Sequence, residues 1–315
     1  MRGRALLRLV PLLVFAFWEA VDASMLHECW RSCWNSTGHH NESAKAVRDW
    51  AMHVSAHQQR LTSQFGQDGS IAFVFKNIGI SATPYFVEYG FDSSDYKGGF
   101  GSNTLQLHNN GWSGLLLDGG HENTAINLHK ELITEENVVS IFEKYSVPLR
   151  FDFLSNDLDS VDLWVLRAIL SAGYRPRVVL AEFNVNYPME STLTNNNRTG
   201  WIGPIFGSSM GALIMMGDEY GYVVVDVVGC DILFVHRSEL RGSEFPPLVT
   251  WRGKTRRSLF GPLTLSRKSL SNALVDYAIF RSTGSMSRAQ AAVLPLIDAM
   301  EIFSRYDGEF DLHST

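Results

Sequence analysis

Cysteine is scarce, with three in 315 residues, at positions 29, 33 and 230. That number excludes a small scaffold held together by disulfides. Cys29 and Cys33 can close one small loop, which leaves Cys230 single. They lack a second ligand pair at zinc-finger spacing, and the adjacent His39 and His40 read as a solvated linker. Charge is also sparse, at 19% of residues with a formal net of −6. No basic stripe appears, which argues against a nucleic-acid partner. The densest basic run, Arg252, Lys254, Arg256 and Arg257, reads as a solvated loop. Internal repeats, an H-E-x-x-H zinc motif, a P-loop and a G-x-G-x-x-G fingerprint are all missing.

Long hydrophobic runs are missing as well. The apolar stretch at 9–18 has ten residues, too few to cross a core of ~30 Å at ~1.5 Å per residue. With Arg2, Arg4 and Arg8 before it and Val21-Asp22-Ala23 after it, residues 1–23 read as a cleavable signal peptide. An uncleaved anchor starting at Ala5 is the competing reading. Three N-glycosylation acceptors begin at Asn35, Asn41 and Asn197. These features predict a chain of the secretory pathway, secreted or in the ER or Golgi lumen, with no membrane span after cleavage.

With 45% hydrophobic residues, the chain can bury one large core. Residues 24–60 read as a polar, glycosylated extension, with weak helical spacing over 44–61. Residues 61–240 read as the domain. Residues 241–315 read as loops plus an amphipathic helix at 287–306, with Ala291, Leu294, Ile297, Met300 and Phe303 packing on the domain.

Within the domain, short apolar runs alternate with helical segments. Strands are expected at 85–89, 115–117, 131–133, 151–154 and 178–181, and helices at 102–109, 121–129, 135–145, 161–172 and 208–219. Two final strands, 222–228 and 231–235, flank a Gly-Cys turn. The pattern predicts a Rossmann-like α/β fold: a mostly parallel sheet with a C-terminal antiparallel hairpin and helices on both faces.

Ligands of such sheets bind at the carboxyl ends of the strands, and those ends carry Glu88, Asp118, Asp157 and Glu182. Gly90 leaves room for a close approach. Asp92 and Asp95, in the glycine-rich loop that follows, would repel a pyrophosphate and suit a cationic cofactor. Asp118 is placed to hold a ribose, or to cap a following helix. Asp157, Asp159 and Asp162 form a D-x-D-x-x-D cluster that reads as plain surface charge or in one of two functional ways. Either they hold Mg²⁺ or Mn²⁺, or Asp159 or Ser160 caps a helix and the rest contact substrate. His108, His121 and His129 read as surface or packing residues on the cofactor side.

Several stretches, in this order, resemble the FkbM-like methyltransferases that use S-adenosylmethionine (SAM). They are Ser63-Gln64-Phe65-Gly66-Gln67-Asp68-Gly69, Phe86-Val87-Glu88-Tyr89-Gly90, Ser102-Asn103-Thr104, the segment 111–119, the segment 151–159 and the segment 174–184. The resemblance covers residues 60–240. It implies that Glu88, Gly90 and Asn103 surround the methionine part of SAM and that Asp118 holds its ribose. Asp157, Asp159 and Glu182 would lie near the acceptor, a sugar or other small hydroxylated molecule. Asn156 stands where the family has an aliphatic residue, Ser160 where it has glycine, and Asp92-Ser93 where it has Asp-Gly. A metal-dependent glycosyltransferase and a secreted binding protein on an inactive methyltransferase fold are the alternatives.

Overall fold

A computed structural model describes residues 50–97, 101–185, 187, 193–195, 206–240 and 300–302. The signal peptide, the sequons, Cys29 and Cys33, the basic run at 252–257 and all of the expected C-terminal helix except 300–302 lie outside these residues.

Seven strands form one sheet. They are β1 (Tyr85–Tyr89), β2 (Ser113–Asp118), β3 (Leu128–Lys130), β4 (Arg150–Asn156), β5 (Arg175–Glu182), β7 (Tyr222–Val228) and β8 (Asp231–His236), in the spatial order β3-β2-β1-β4-β5-β8-β7. The first five run parallel, and β8 inserts antiparallel between β5 and β7. This is the expected Rossmann-like sheet, and the order in which its parallel strands are laid down reverses between β1 and β4.

Alternation along the strands divides the core in two. Val87, Leu115, Leu117, Leu154 and Val179 pack on one face, with α3 (Val138–Lys144), α4 (Asp162–Ser171) and α5 (Met210–Glu219). Phe86, Leu116, Phe153, Val178 and Leu180 pack on the other, with α1 (Gln67–Ile78) and the short α2 (Leu105–Asn109). Trp50, Ala51 and Val54 are buried in this second layer. Residues on the amino-terminal side of the expected boundary at 61 therefore pack into the domain.

The motif 63–69 builds the start of α1. The Asp68 carboxylate accepts the N–H groups of Leu61, Thr62 and Ser63 at 2.8–2.9 Å. A Cβ on Gly69 would lie 2.1 Å from the His57 carbonyl oxygen, so only glycine fits.

Three sequence expectations are corrected. Residues 121–129 hold only a 3₁₀ turn, Thr124–Ile126, because the backbones of Asn123 and Leu128 exchange two hydrogen bonds and Asn127 turns left-handed at φ 56°. The third strand consequently begins at Leu128, not at Glu131. Met300–Ile302 is strand β9, antiparallel to β6 (Leu193–Asn195). Its helical spacing could not register a strand partner a hundred residues away.

Candidate active site

At the carboxyl edge of the parallel strands lies a cleft of about 530 Å³. All seven residues singled out in the sequence line it: Glu88, Gly90, Asn103, Asp118, Asp157, Asp159 and Glu182.

Glu88 closes β1 and is buried. Its Oε1 accepts the Asn103 N–H at 2.9 Å, and its Oε2 accepts the Ser102 hydroxyl at 2.8 Å and the Thr104 hydroxyl. Burial pushes its carboxyl up from the usual range, opposed by these donors. The segment 102–104 is thereby tied to the strand. Asn103 Nδ2 donates to Ser155 Oγ at 3.0 Å, while its buried Oδ1 has no partner among the described residues. That oxygen is a vacant acceptor on a residue that lines the cleft.

Gly90 takes φ +73°, and a Cβ there would fall 1.7 Å from the Asp157 carbonyl oxygen. The close approach that requires glycine is thus made by the loop after β4. The sequence reading had assigned it to a ligand.

Asp118 closes β2. Oδ2 accepts the Asp92 N–H at 2.8 Å, while Oδ1 accepts Gly120 N–H at 2.7 Å and His121 N–H at 2.8 Å. Burial alone would raise its pKa, but these donors and the His121 ring together hold it below the usual value. The small turn it organises is not a helix start.

Across the cleft, oxygens of Asp157, Asp159 and Glu182 lie within 4.8 Å of one another. Burial raises the carboxyls of Asp157 and Glu182 strongly, and neighbouring carboxylates add to it. Both carboxyls are thereby held toward the protonated form. The three are hard oxygen donors suited to Mg²⁺ or Mn²⁺.

Asp162 is not the third member of this cluster. Its carboxylate accepts Leu158 N–H at 2.6 Å and Ser160 N–H at 2.9 Å, holding the loop before α4. Neither Asp159 nor Ser160 caps that helix, whose N-cap is Val161 with no side-chain bond. Glu182, from the neighbouring strand, takes the place expected of Asp162.

Two of the residues that depart from the resembled pattern have local roles. Asn156 is buried and accepts the Tyr89 hydroxyl. Asp92 itself takes the left-handed conformation, at φ 49°. Of the histidines, His129 stacks on Tyr145 and His108 lies tilted against Tyr96, whereas His121 touches Asp118.

Sequence reasoning missed Asp231 and Gln67. Both line the cleft, and the Gln67 amide donates to Asp231. Burial pushes the Asp231 carboxyl up to about 6. Gln67 lay inside the quoted motif, but Asp231 opens an antiparallel strand. Its first residue pairs with Glu182, the last of β5, and so reaches the carboxyl edge from the opposite direction.

No family model and no curated protein matches this chain. Among solved structures, it is similar to the MycE methyltransferase from the mycinamycin biosynthetic pathway, solved with Mg, SAH and mycinamycin VI. The identity is 14% and the TM-score 0.32, over 66% of each chain. A likeness at that level carries no argument about activity.

Proposed function

We propose that this chain is a SAM-dependent methyltransferase that methylates a sugar or another small hydroxylated acceptor in the secretory pathway. The observation that carries the reading is the cleft itself. It lies at the carboxyl edge of a Rossmann-like sheet and is lined by eight carboxylates, with no Lys, Arg or His among its described lining residues. Such a lining favours a ligand with positive charge, and SAM brings a sulfonium and an ammonium.

Glu88 and Asn103 would receive the amino-acid end, with the free Asn103 Oδ1 accepting from the ammonium, and Asp118 would receive the ribose. SAM supplies the methyl group on an activated sulfur. The protein's work is then mainly alignment. Asp157 or Glu182, in its ionised form, takes up the proton of the attacking hydroxyl. Asp159 orients the acceptor.

One observation favours a second reading. The convergence of Asp157, Asp159 and Glu182 also suits the cation of a metal-dependent glycosyltransferase. Calorimetric titration of the mature chain (24–315) with SAM, first in chelator and then with Mn²⁺, separates the two. Micromolar binding without metal, lost in Asp118→Ala, supports the methyltransferase. No SAM heat, with a UDP-sugar bound only in Mn²⁺, supports the glycosyltransferase. Silence with both leaves a binding protein on an inactive fold.

A further inference from the structure

The acids of the cleft fall into two groups. Glu88 and Asp118 close β1 and β2, and each accepts at least three hydrogen bonds from the protein, which partly meet its charge. Asp157 follows β4, Glu182 closes β5 and Asp231 opens β8. In the order β1-β4-β5-β8, three strand spacings of ~4.8 Å place the edge of β8 about 14 Å from that of β1. Asp231 is buried and pairs in register with Glu182. The amide of Gln67, also buried, donates to its Oδ2. The other end of that amide is taken, because Gln67 Oε1 accepts the N–H groups of Phe65 and Gly66, both at 2.8 Å. Gln67 can therefore present only its NH₂ to Asp231. Oδ1 of Asp231 accepts no hydrogen bond from any described residue. The carboxylate is fixed at the cleft wall with one oxygen in use and one open.

A ligand that settles over Asp231 strips water from a carboxylate that no described lining residue neutralises. A hydroxyl returns one hydrogen bond, whereas an ammonium returns up to three donors and an opposite charge. A divalent ion fits this position less well. The oxygens that converge within 4.8 Å are those of Asp157, Asp159 and Glu182, and Asp231 is not of that group. We propose that Asp231 binds an ammonium group of the methyl acceptor, which makes the acceptor an amine-bearing alcohol such as an amino sugar. The proposal rests on the methyltransferase reading, in which SAM occupies the ends of β1 and β2 and the acceptor those of β4, β5 and β8. The acceptor hydroxyl then lies beside Asp157 and Glu182, one strand or two from its own ammonium. Burial holds the Asp231 carboxyl up at about 6 in the ligand-free chain, and a bound ammonium would draw it back toward the ionised form.

The test is calorimetric titration of the mature chain, first with S-adenosylhomocysteine and then, in its presence, with sugars at pH 7 in an amine-free buffer. The probes are D-glucosamine and D-galactosamine, each set against its neutral parent, D-glucose or D-galactose. Wild type is expected to bind at least one amino sugar about tenfold more tightly than its parent. Asp231→Asn keeps an oxygen for the Gln67 amide and removes the charge. It is expected to bind that amino sugar no better than the parent, with its affinity for S-adenosylhomocysteine unchanged. A merely structural Asp231 would shift both ligands together. Equal binding of amine and parent by wild type, binding of neither, or a preference that survives in Asp231→Asn would overturn the proposal. If wild type does not bind S-adenosylhomocysteine, the methyltransferase reading fails and the proposal falls with it. Binding of S-adenosylhomocysteine without the amine preference sinks the proposal alone.

Discussion

Arg177 on β5 lies with its Nη1 2.9 Å from Oδ1 of Asp152 on the adjacent β4, an ion pair in which the carboxylate side chain is only 2% exposed. The same guanidinium donates to the carbonyls of Ile78 and Gly79 at the end of α1 and to Glu239 beyond β8. Asp152 also accepts the Ser81 hydroxyl and the Tyr85 N–H. One side chain thus joins two central strands, the end of a helix and the segment after the hairpin. It lies away from the cleft-lining residues.

Removing the arginine strands a buried carboxylate. Arg177→Ala is expected to lower unfolding stability by about 3–5 kcal/mol, as read by chemical denaturation. The double change Arg177→Ala with Asp152→Asn should recover part of that loss, because the orphaned charge is gone. A single variant within about 1 kcal/mol of wild type would show that the pair contributes little.

Gly90 is held by geometry that no side chain satisfies. Gly90→Ala places a Cβ against the Asp157 carbonyl at a left-handed φ, so the loops after β1 and β4 must separate. A loss of about 3 kcal/mol or more is expected, together with loss of SAM binding. A melting temperature unchanged from wild type would sink this account.

Glu88→Gln tests the seat of segment 102–104. The carboxylate accepts three donors, and an amide would turn one of its two oxygens into a donor facing a donor. The expected cost is about 1–3 kcal/mol, with weaker SAM binding in the same titration. Equal SAM affinity in this variant would remove Glu88 from the proposed cofactor site.

Asp231 makes the domain's stability depend on pH. Its folded value is raised to about 6, against about 3.9 for an unfolded aspartate. The folded state therefore holds the proton more tightly, and this group's contribution falls as pH rises from about 4 to about 6. Above that window the cost is fully present. Asp231→Asn should stabilise the ligand-free chain at pH 7.5 by on the order of 2 kcal/mol, and by almost nothing at pH 4. Denaturation at the two pH values measures the difference, and an equal gain at both would contradict it.

The sheet was legible because buried parallel strands are short apolar runs that show in any window, as at Phe86-Val87, Leu115-Leu116-Leu117 and Val178-Val179-Leu180. The carboxyl ends of those strands could be read off the same runs, which is why the position of Glu88, Asp118, Asp157 and Glu182 at that edge was legible. Leu128–Lys130 was misread because a three-residue edge strand has too few positions to show a period, and the polar residues before it mimic a helix start.

Chain order and side-chain chemistry by themselves determined the alternation of strands and helices, the closing hairpin and the acidic character of the strand ends. Only the tertiary structure decided which acids share a site. Asp162 is near Asp157 in sequence but turns to its own loop, while Glu182 and Asp231 come from neighbouring strands to the same edge. Spacing along one chain records local geometry, whereas a site at a sheet edge is assembled by lateral strand pairing and strand direction, which no local pattern encodes.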